Sequence, residues 1–409
     1  MPGSHQPDTP PKRGVLDRET EEREARELIE TLAARERGSA SEGERWAAHL
    51  IAERLSAAGA AATVEEESVR PDTWRNLFTL SAAATAAGLA AARGARTLPA
   101  LAAGATLAGL ADDVQNGRHL ARRLTTPART TWNVTAECGD PRGDRTVVVL
   151  AHHDAAHSGL IFHPAPQREV WRRLPELIER SNTAVPVWWP VLAAHALVAA
   201  GALTGRRRLA RAGTALTALA TAAFAEIWSR PVVPGANDNL TAVACLTALA
   251  RRFEQDPPAG VRVLLVSAGS EESFQEGIRA WGRRHFGALP RERTSFVAID
   301  MVGSPELAMI EGEGPIWMED YDAGLRDLVE GCAREEGVHL RRGLRARTST
   351  DGVIPMRAGY PTVLLGSIEP WKAPSNYHWP TDVPENVDHS TLADAVRLTE
   401  AVIRRLGAT

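Results

Sequence analysis

The sequence predicts an α/β protein with a mixed, mostly parallel central sheet, helices on both of its faces, and inserted apolar helical hairpins. Three features predict it. From Pro234 to the C-terminus, strand-like apolar runs alternate with helical periodicity, the pattern of a sheet wound through helices. Runs such as 146–151 (TVVVLA) and 261–267 (VRVLLVS) are apolar almost throughout, as strands covered on both faces are. Two Ala-rich apolar stretches, within 77–111 and 185–228, follow neither pattern and read as insertions into that frame.

Taken in order, residues 1–17 are polar, include Pro2, Pro7, Pro10 and Pro11, and contain no apolar core of a secretory signal, so they predict a disordered leader. From Arg18 to Arg35, Ala25, Leu28, Ile29, Leu32 and Ala33 share one helical stripe. Ser41 with Glu44 reads as a capping box opening a helix that carries Trp46, Leu50, Ile51 and Leu55 and stops at Gly59. Residues 61–69 predict a strand. The first insertion, 75–129, holds apolar runs at 77–92 and 98–111, parted by Arg93 and Arg96, and then a basic segment with Arg118, Arg122, Arg123 and Arg129. Strands resume at 130–138 and 146–151. The second insertion, 160–233, holds an apolar run at 185–204, a basic tip at Arg206, Arg207, Arg208 and Arg211, and a return run to Trp228. Beyond it the pattern predicts helices over 239–253, 322–336 and 390–406, and strands over 261–267, 295–301 and 361–366.

The net charge of −4 gives no sign of a nucleic-acid surface. Cys138, Cys245 and Cys332 lack CxxC spacing, which argues against a disulfide scaffold or a cysteine zinc site and leaves them as small apolar residues.

Five short motifs stand where strands end, the place where α/β sheets build their sites. They are His152-His153-Asp154, Asn237-Asp238-Asn239, Glu271-Glu272, Asp300, and the loop with Asn376, Tyr377, His378 and Asp382. Each alone has a structural explanation: a satisfied histidine, a helix cap, a solvated acid pair. An Asp closing a buried strand is the least comfortable of these, because a buried carboxylate without a partner costs several kcal/mol. Together, two histidines and several carboxylates at one sheet edge would crowd negative charge into one cleft. A pair of divalent cations is the simplest compensation, and imidazole with carboxylate suits zinc.

In motif order and spacing this set resembles the M28 family of zinc exopeptidases, over residues 18–409 apart from the two insertions. The resemblance implies the zinc-exopeptidase fold and two zinc ions, with cobalt or manganese as alternatives. It implies His152 and Asp300 on one metal, Glu272 and His378 on the other, and Asp238 bridging both. It makes Glu271 the general base and Asp154 the partner that orients His152. Asp351, Tyr377 and Asn237 are further candidates to support the ligands or touch substrate. The chain departs from the family after the Glu pair, where Ser273, Phe274 and Gln275 replace the usual Gly and Leu, and Gly352 replaces a usual His.

The expected activity is hydrolysis of peptide bonds, most simply by an aminopeptidase. A glutaminyl-cyclase-like acyl transferase on the same fold and a non-catalytic, membrane-associated interaction domain are the alternatives. The run at 185–204 and its return predict a transmembrane hairpin with Trp188, Trp189 and Trp228 as an interfacial belt, hence lipid contact and a place at the cell membrane. Arg211 and Glu226 instead favour a soluble lid or an arm joining two copies, in which case the chain would be cytoplasmic.

Overall fold

A computed structural model describes residues 18–183 and 186–408; the expected leader at 1–17 lies outside them, as do Ala184, Val185 and Thr409. In chain order the elements are α1 (Arg18–Ala33), α2 (Glu42–Ala57), β1 (Ala61–Val69), α3 (Thr73–Ala92), α4 (Thr97–Val114), α5 (Arg122–Thr125), β2 (Arg129–Gly139) and β3 (Arg145–His152). They continue with α6 (Pro164–Arg173), α7 (Pro175–Arg180), α8 (Trp188–Thr204), α9 (Arg207–Ser229), α10 (Thr241–Gln255), β4 (Val261–Ala268), α11 (Glu276–His285) and β5 (Thr294–Ile299). The last are β6 (Glu306–Glu313), β7 (Glu319–Asp320), α12 (Ala323–Glu336), β8 (Arg341–Ala346), α13 (Val353–Arg357), β9 (Thr362–Ile368) and α14 (His389–Gly407).

The strands form one nine-stranded sheet in the order β1-β2-β4-β3-β5-β9-β6-β7, with β8 beside β6. Its centre, β4-β3-β5-β9, is parallel, whereas β1, β2, β6 and β7 join through antiparallel pairings. Parallel pairing is therefore found at the centre and again between β6 and β8, and the sheet as a whole is mixed. Residues along β3 alternate between two cores. Val147, Val149 and Ala151 face α1, α2, α10, α12 and α14, and Val148 and Leu150 face α11. Burial on both faces explains why this strand reads as an unbroken apolar run.

Ser41 caps α2, its hydroxyl accepting from the Glu44 N–H, while Glu44 reaches back to Ala40 N at 2.8 Å, one residue earlier than a standard capping box.

The insertions pack against each other instead of standing alone. Helices α3, α4, α8 and α9 form an antiparallel bundle, shown by the pairs Leu80/Gly109, Phe78/Trp228 and Gly201/Ala210. Gly88, Gly201 and Gly213 sit where a Cβ would come within 2.2–2.6 Å of a neighbouring helix, so small residues let the helices meet. Thr85 bonds Thr217 at 3.0 Å in the middle of the bundle. The transmembrane reading is corrected here. Among the described residues no helix is long and apolar enough to cross a membrane. The alanines that raise the hydropathy of these runs are spent on helix–helix contact. Trp188 is likewise no interfacial belt residue, for it packs on Phe224 and Phe274.

Candidate metal centre

The parallel strands deliver the site. His152 is the last residue of β3, in register with Ala268 at the end of β4. Asp300 follows β5 and donates its N–H to the Leu365 carbonyl of β9 at 2.9 Å. Glu271 and Glu272 lie in a short turn after β4, entered through Ser270 at φ +51°. They are thus on a turn and not on a strand. Asp238 lies in the irregular turn Ala236–Leu240 ahead of α10, and its peptide bond to Asn239 is cis. His378 comes from the loop between β9 and α14.

These side chains converge. His152 Nε2 is 3.3 Å from Asp238 Oδ1 and 3.6 Å from Asp300 Oδ1. His378 Nε2 is 3.3 Å from Asp238 Oδ2 and 3.3 Å from Glu272 Oε2. Such separations exceed those of charge-assisted hydrogen bonds, about 2.7–2.9 Å. They equal the spacing of two donors on one tetrahedral zinc, about 3.3 Å for bonds of ~2.0–2.1 Å. Asp238 Oδ2, Glu272 Oε1 and Asp300 Oδ1 have no hydrogen-bond partner although buried. His152 also groups with Asp238 and Glu272, and with Glu271 and Asp300, closely enough to share a metal ion. Hard carboxylate oxygens left unpaired beside two imidazoles at this spacing fit divalent cations.

Electrostatics without a cation are correspondingly unfavourable. Burial raises the Glu271 carboxyl well above its usual range, and Glu272, Asp351 and Asp300 add to the rise against the pull of His152. Burial would lower His152, but Glu271, Asp154, Asp238 and Asp300 outweigh it and hold the imidazole well above its ordinary value.

Around the convergent set lies a layer of supports. Asp154 accepts from the N–H groups of Glu271 (2.9 Å) and Glu272 (3.1 Å) and from Ser39 Oγ (2.6 Å). Its Oδ1 also lies 3.5 Å from His152 Nδ1. Asp154 therefore braces the Glu pair as well as facing the ring it was expected to orient. Asp382, unassigned from sequence beyond its place in the motif, accepts the N–H groups of Asn237 (2.7 Å) and Asp238 (3.1 Å). Burial beside Asp238 lifts its carboxyl to about 7. Arg37, missed by sequence reasoning, is fully buried and donates to the carbonyls of His153, Leu32, Pro234 and Gly235, tying the His152 and Asp238 loops together.

The remaining expected residues separate. Tyr377 stacks on His378 with ring centroids 3.8 Å apart. Asp351 is buried near His152 and Asp300 with both oxygens unpaired. Asn237 instead bonds Ser304, Ser375 and Gly303 N, holding loops together and not entering the substrate cavity. That cavity, about 310 Å³, opens onto His152, Asp238, Glu271, Glu272, Asp300 and His378. Its wall carries Trp74 from the first turn of α3, Phe162 and Trp188 from the second insertion, and Phe274.

Residues 224–403 match the model of peptidase family M28. The match takes in 180 of the 409 residues, under half of the chain, and over that stretch the sequence is similar to the peptidases of that family. No curated relative matches the sequence. Among solved structures the fold is similar to a zinc-dependent exopeptidase from Parabacteroides distasonis, at 14% identity and TM-score 0.55, covering 94% of this chain and 98% of that one. It is as similar to a glutaminyl cyclase from Tannerella forsythia (16%, TM-score 0.55, 94% and 98% covered) and to a zinc aminopeptidase from Bacillus subtilis (13%, 0.55, 94% and 95%).

Proposed function

We propose that the chain is a two-zinc aminopeptidase, with cobalt or manganese as alternative metals. The supporting observation is Asp238, whose two oxygens each lie 3.3 Å from a different histidine. In this reading His152 and Asp300 would hold one ion, Glu272 and His378 the other, and Asp238 would be shared between them. Divalent ions held there would supply an acidified water and a polarised substrate carbonyl. Glu271 turns Oε2 toward this centre, 3.9 Å from His152 Nε2. It takes the proton from the attacking water and hands it to the leaving amine. Asp154 holds both Glu backbones and the His152 ring in place. The aromatic wall of the cavity suits an apolar side chain of the substrate. A glutaminyl cyclase works through a single zinc, and the second donor set, His152 with Asp300, is what favours hydrolysis over that alternative.

The test is purified protein assayed for metal and for turnover of a panel of aminoacyl chromogenic substrates, beside Glu271→Gln. We expect the variant to lose at least about a thousandfold in kcat with its metal retained. Unchanged turnover would remove Glu271 from the mechanism, and cyclisation of an N-terminal glutaminyl peptide without hydrolysis would select the acyl transferase.

We also propose that the far end of the bundle rests on an anionic bilayer surface without crossing it. Arg93, Arg96, Arg206, Arg207 and Arg208 are exposed there, beside exposed Leu98, Leu101 and Leu203. No Asp or Glu occurs from 73 to 111 or from 181 to 225, so no neighbouring acid neutralises the tip. Cations with adjacent exposed leucines are the elements of interfacial binding. Sedimentation with phosphatidylserine-containing vesicles is expected, and is expected to vanish with phosphatidylcholine alone or in the triple variant Arg206→Glu, Arg207→Glu, Arg208→Glu. Equal sedimentation of that variant would contradict the proposal.

A further inference from the structure

We infer that Gln275 is a positioning residue for the general base, and that the first insertion sets its orientation. This rests on the reading of Glu271 as base. Gln275 is 2% exposed and donates through Nε2 to Glu271 Oε1 at 2.6 Å and to the Ser349 carbonyl at 2.9 Å. Its Oε1 accepts from Asn116 Nδ2 at 2.6 Å and from Ser349 Oγ at 3.2 Å. Every hydrogen-bonding position of the amide is thus filled, which leaves it one orientation.

That orientation is anchored further out. Asn116 follows α4 in the first insertion, and Arg279 Nη2 donates to its Oδ1 at 3.3 Å and its carbonyl at 3.1 Å. A guanidinium only donates, so Asn116 must present its NH₂ group to Gln275. Gln275 must then present its own NH₂ group to Glu271. One oxygen of the base is held by this relay, and the other, Oε2, is free to face the metal centre. The relay fixes the carboxylate to within the fraction of an ångström that proton transfer needs.

The neighbouring residues agree. Ser273 and Glu276 are each bonded by the same insertion, through Arg122 to the Ser273 carbonyl and through His119 to the Glu276 carboxylate. Phe274 lies under the Arg122 guanidinium. The segment that departs from the family's sequence pattern is therefore the segment the insertion grips.

Gln275→Met keeps length and apolar bulk but removes the donor. Its kcat is expected to fall about 10–100-fold with KM and zinc content unchanged. Gln275→Glu keeps size and still accepts from Asn116, yet opposes Glu271, so it is expected to be at least as impaired; a purely structural role would instead favour it over Met. Asn116→Ala is expected to lose less, and to add nothing to Gln275→Met. In labelled wild-type protein, the Gln275 side-chain amide signal should exchange slowly and broaden or exchange faster in Asn116→Ala. Folded Gln275→Met with wild-type kcat, while Glu271→Gln is dead, would overturn this inference alone. An active Glu271→Gln would overturn the reading beneath it.

Discussion

Single residues carry the site through unusual burial of charge, and their legibility depended on local context. His152, Glu272 and Asp300 drew attention because each follows an apolar strand, Asp238 because it precedes a helix, and His378 through the polar loop around it. Arg37, Asp382 and Asn116 were not legible, since the partners that tie them to the site are 116 to 198, 144 to 145 and 159 to 163 residues away in sequence. Burial of charge also makes a testable claim about pH. Burial would raise the Glu276 carboxyl, but His119 and Arg122 outweigh it and bring it from 4.5 to about 2. Between those values the unfolded chain binds the extra proton, so the stabilisation is complete above about pH 4.5 and is lost as pH falls toward 2. The amount is on the order of 3 kcal/mol. Glu276→Gln should therefore be less stable than wild type at pH 7 and lose less stability on acidification over that window, measured by denaturant unfolding at each pH. Parallel losses in both proteins would remove the pair from the acid response.

At the scale of elements, the central strands were legible because helices cover both faces and drive an unbroken apolar run. Strands β6 and β8 were missed for the opposite reason. Their charged residues find partners in other elements, across the sheet as in Arg342 with Glu311 and Arg345 with Asp320, or on a helix as in Glu311 with Arg326. The Ala-rich runs are helical, but hydropathy alone cannot tell a helix buried by lipid from one buried by three other helices. Close packing distinguishes them. A Cβ on Gly213 would lie 2.6 Å from Val198 N and 3.0 Å from the Ala194 carbonyl, whereas Gly104 has nothing within 4 Å. Gly213→Leu is expected to destabilise by about 1–3 kcal/mol or more, and Gly104→Ala to be neutral or slightly stabilising. Equal thermal melting of the two variants would mean that the bundle does not pack this closely.

For the whole molecule, the insertions and the sheet make one working unit. The sheet edge supplies the convergent donors, and Trp74 at the start of α3, with Phe162 and Trp188 of the second insertion, walls the cavity above them. The same bundle reaches back to the base through Asn116 and outward to its arginine-rich tip. Catalysis and any contact with a bilayer would then sit at opposite ends of helices about 25–35 Å long. The central claim is that Asp238 joins two metal ions, and anomalous diffraction at the zinc edge from crystals grown with zinc addresses it most directly. Two peaks ~3.5–4 Å apart, one beside His152 and Asp300 and the other beside Glu272 and His378, are the predicted result. A single peak, or peaks away from Asp238, would contradict it.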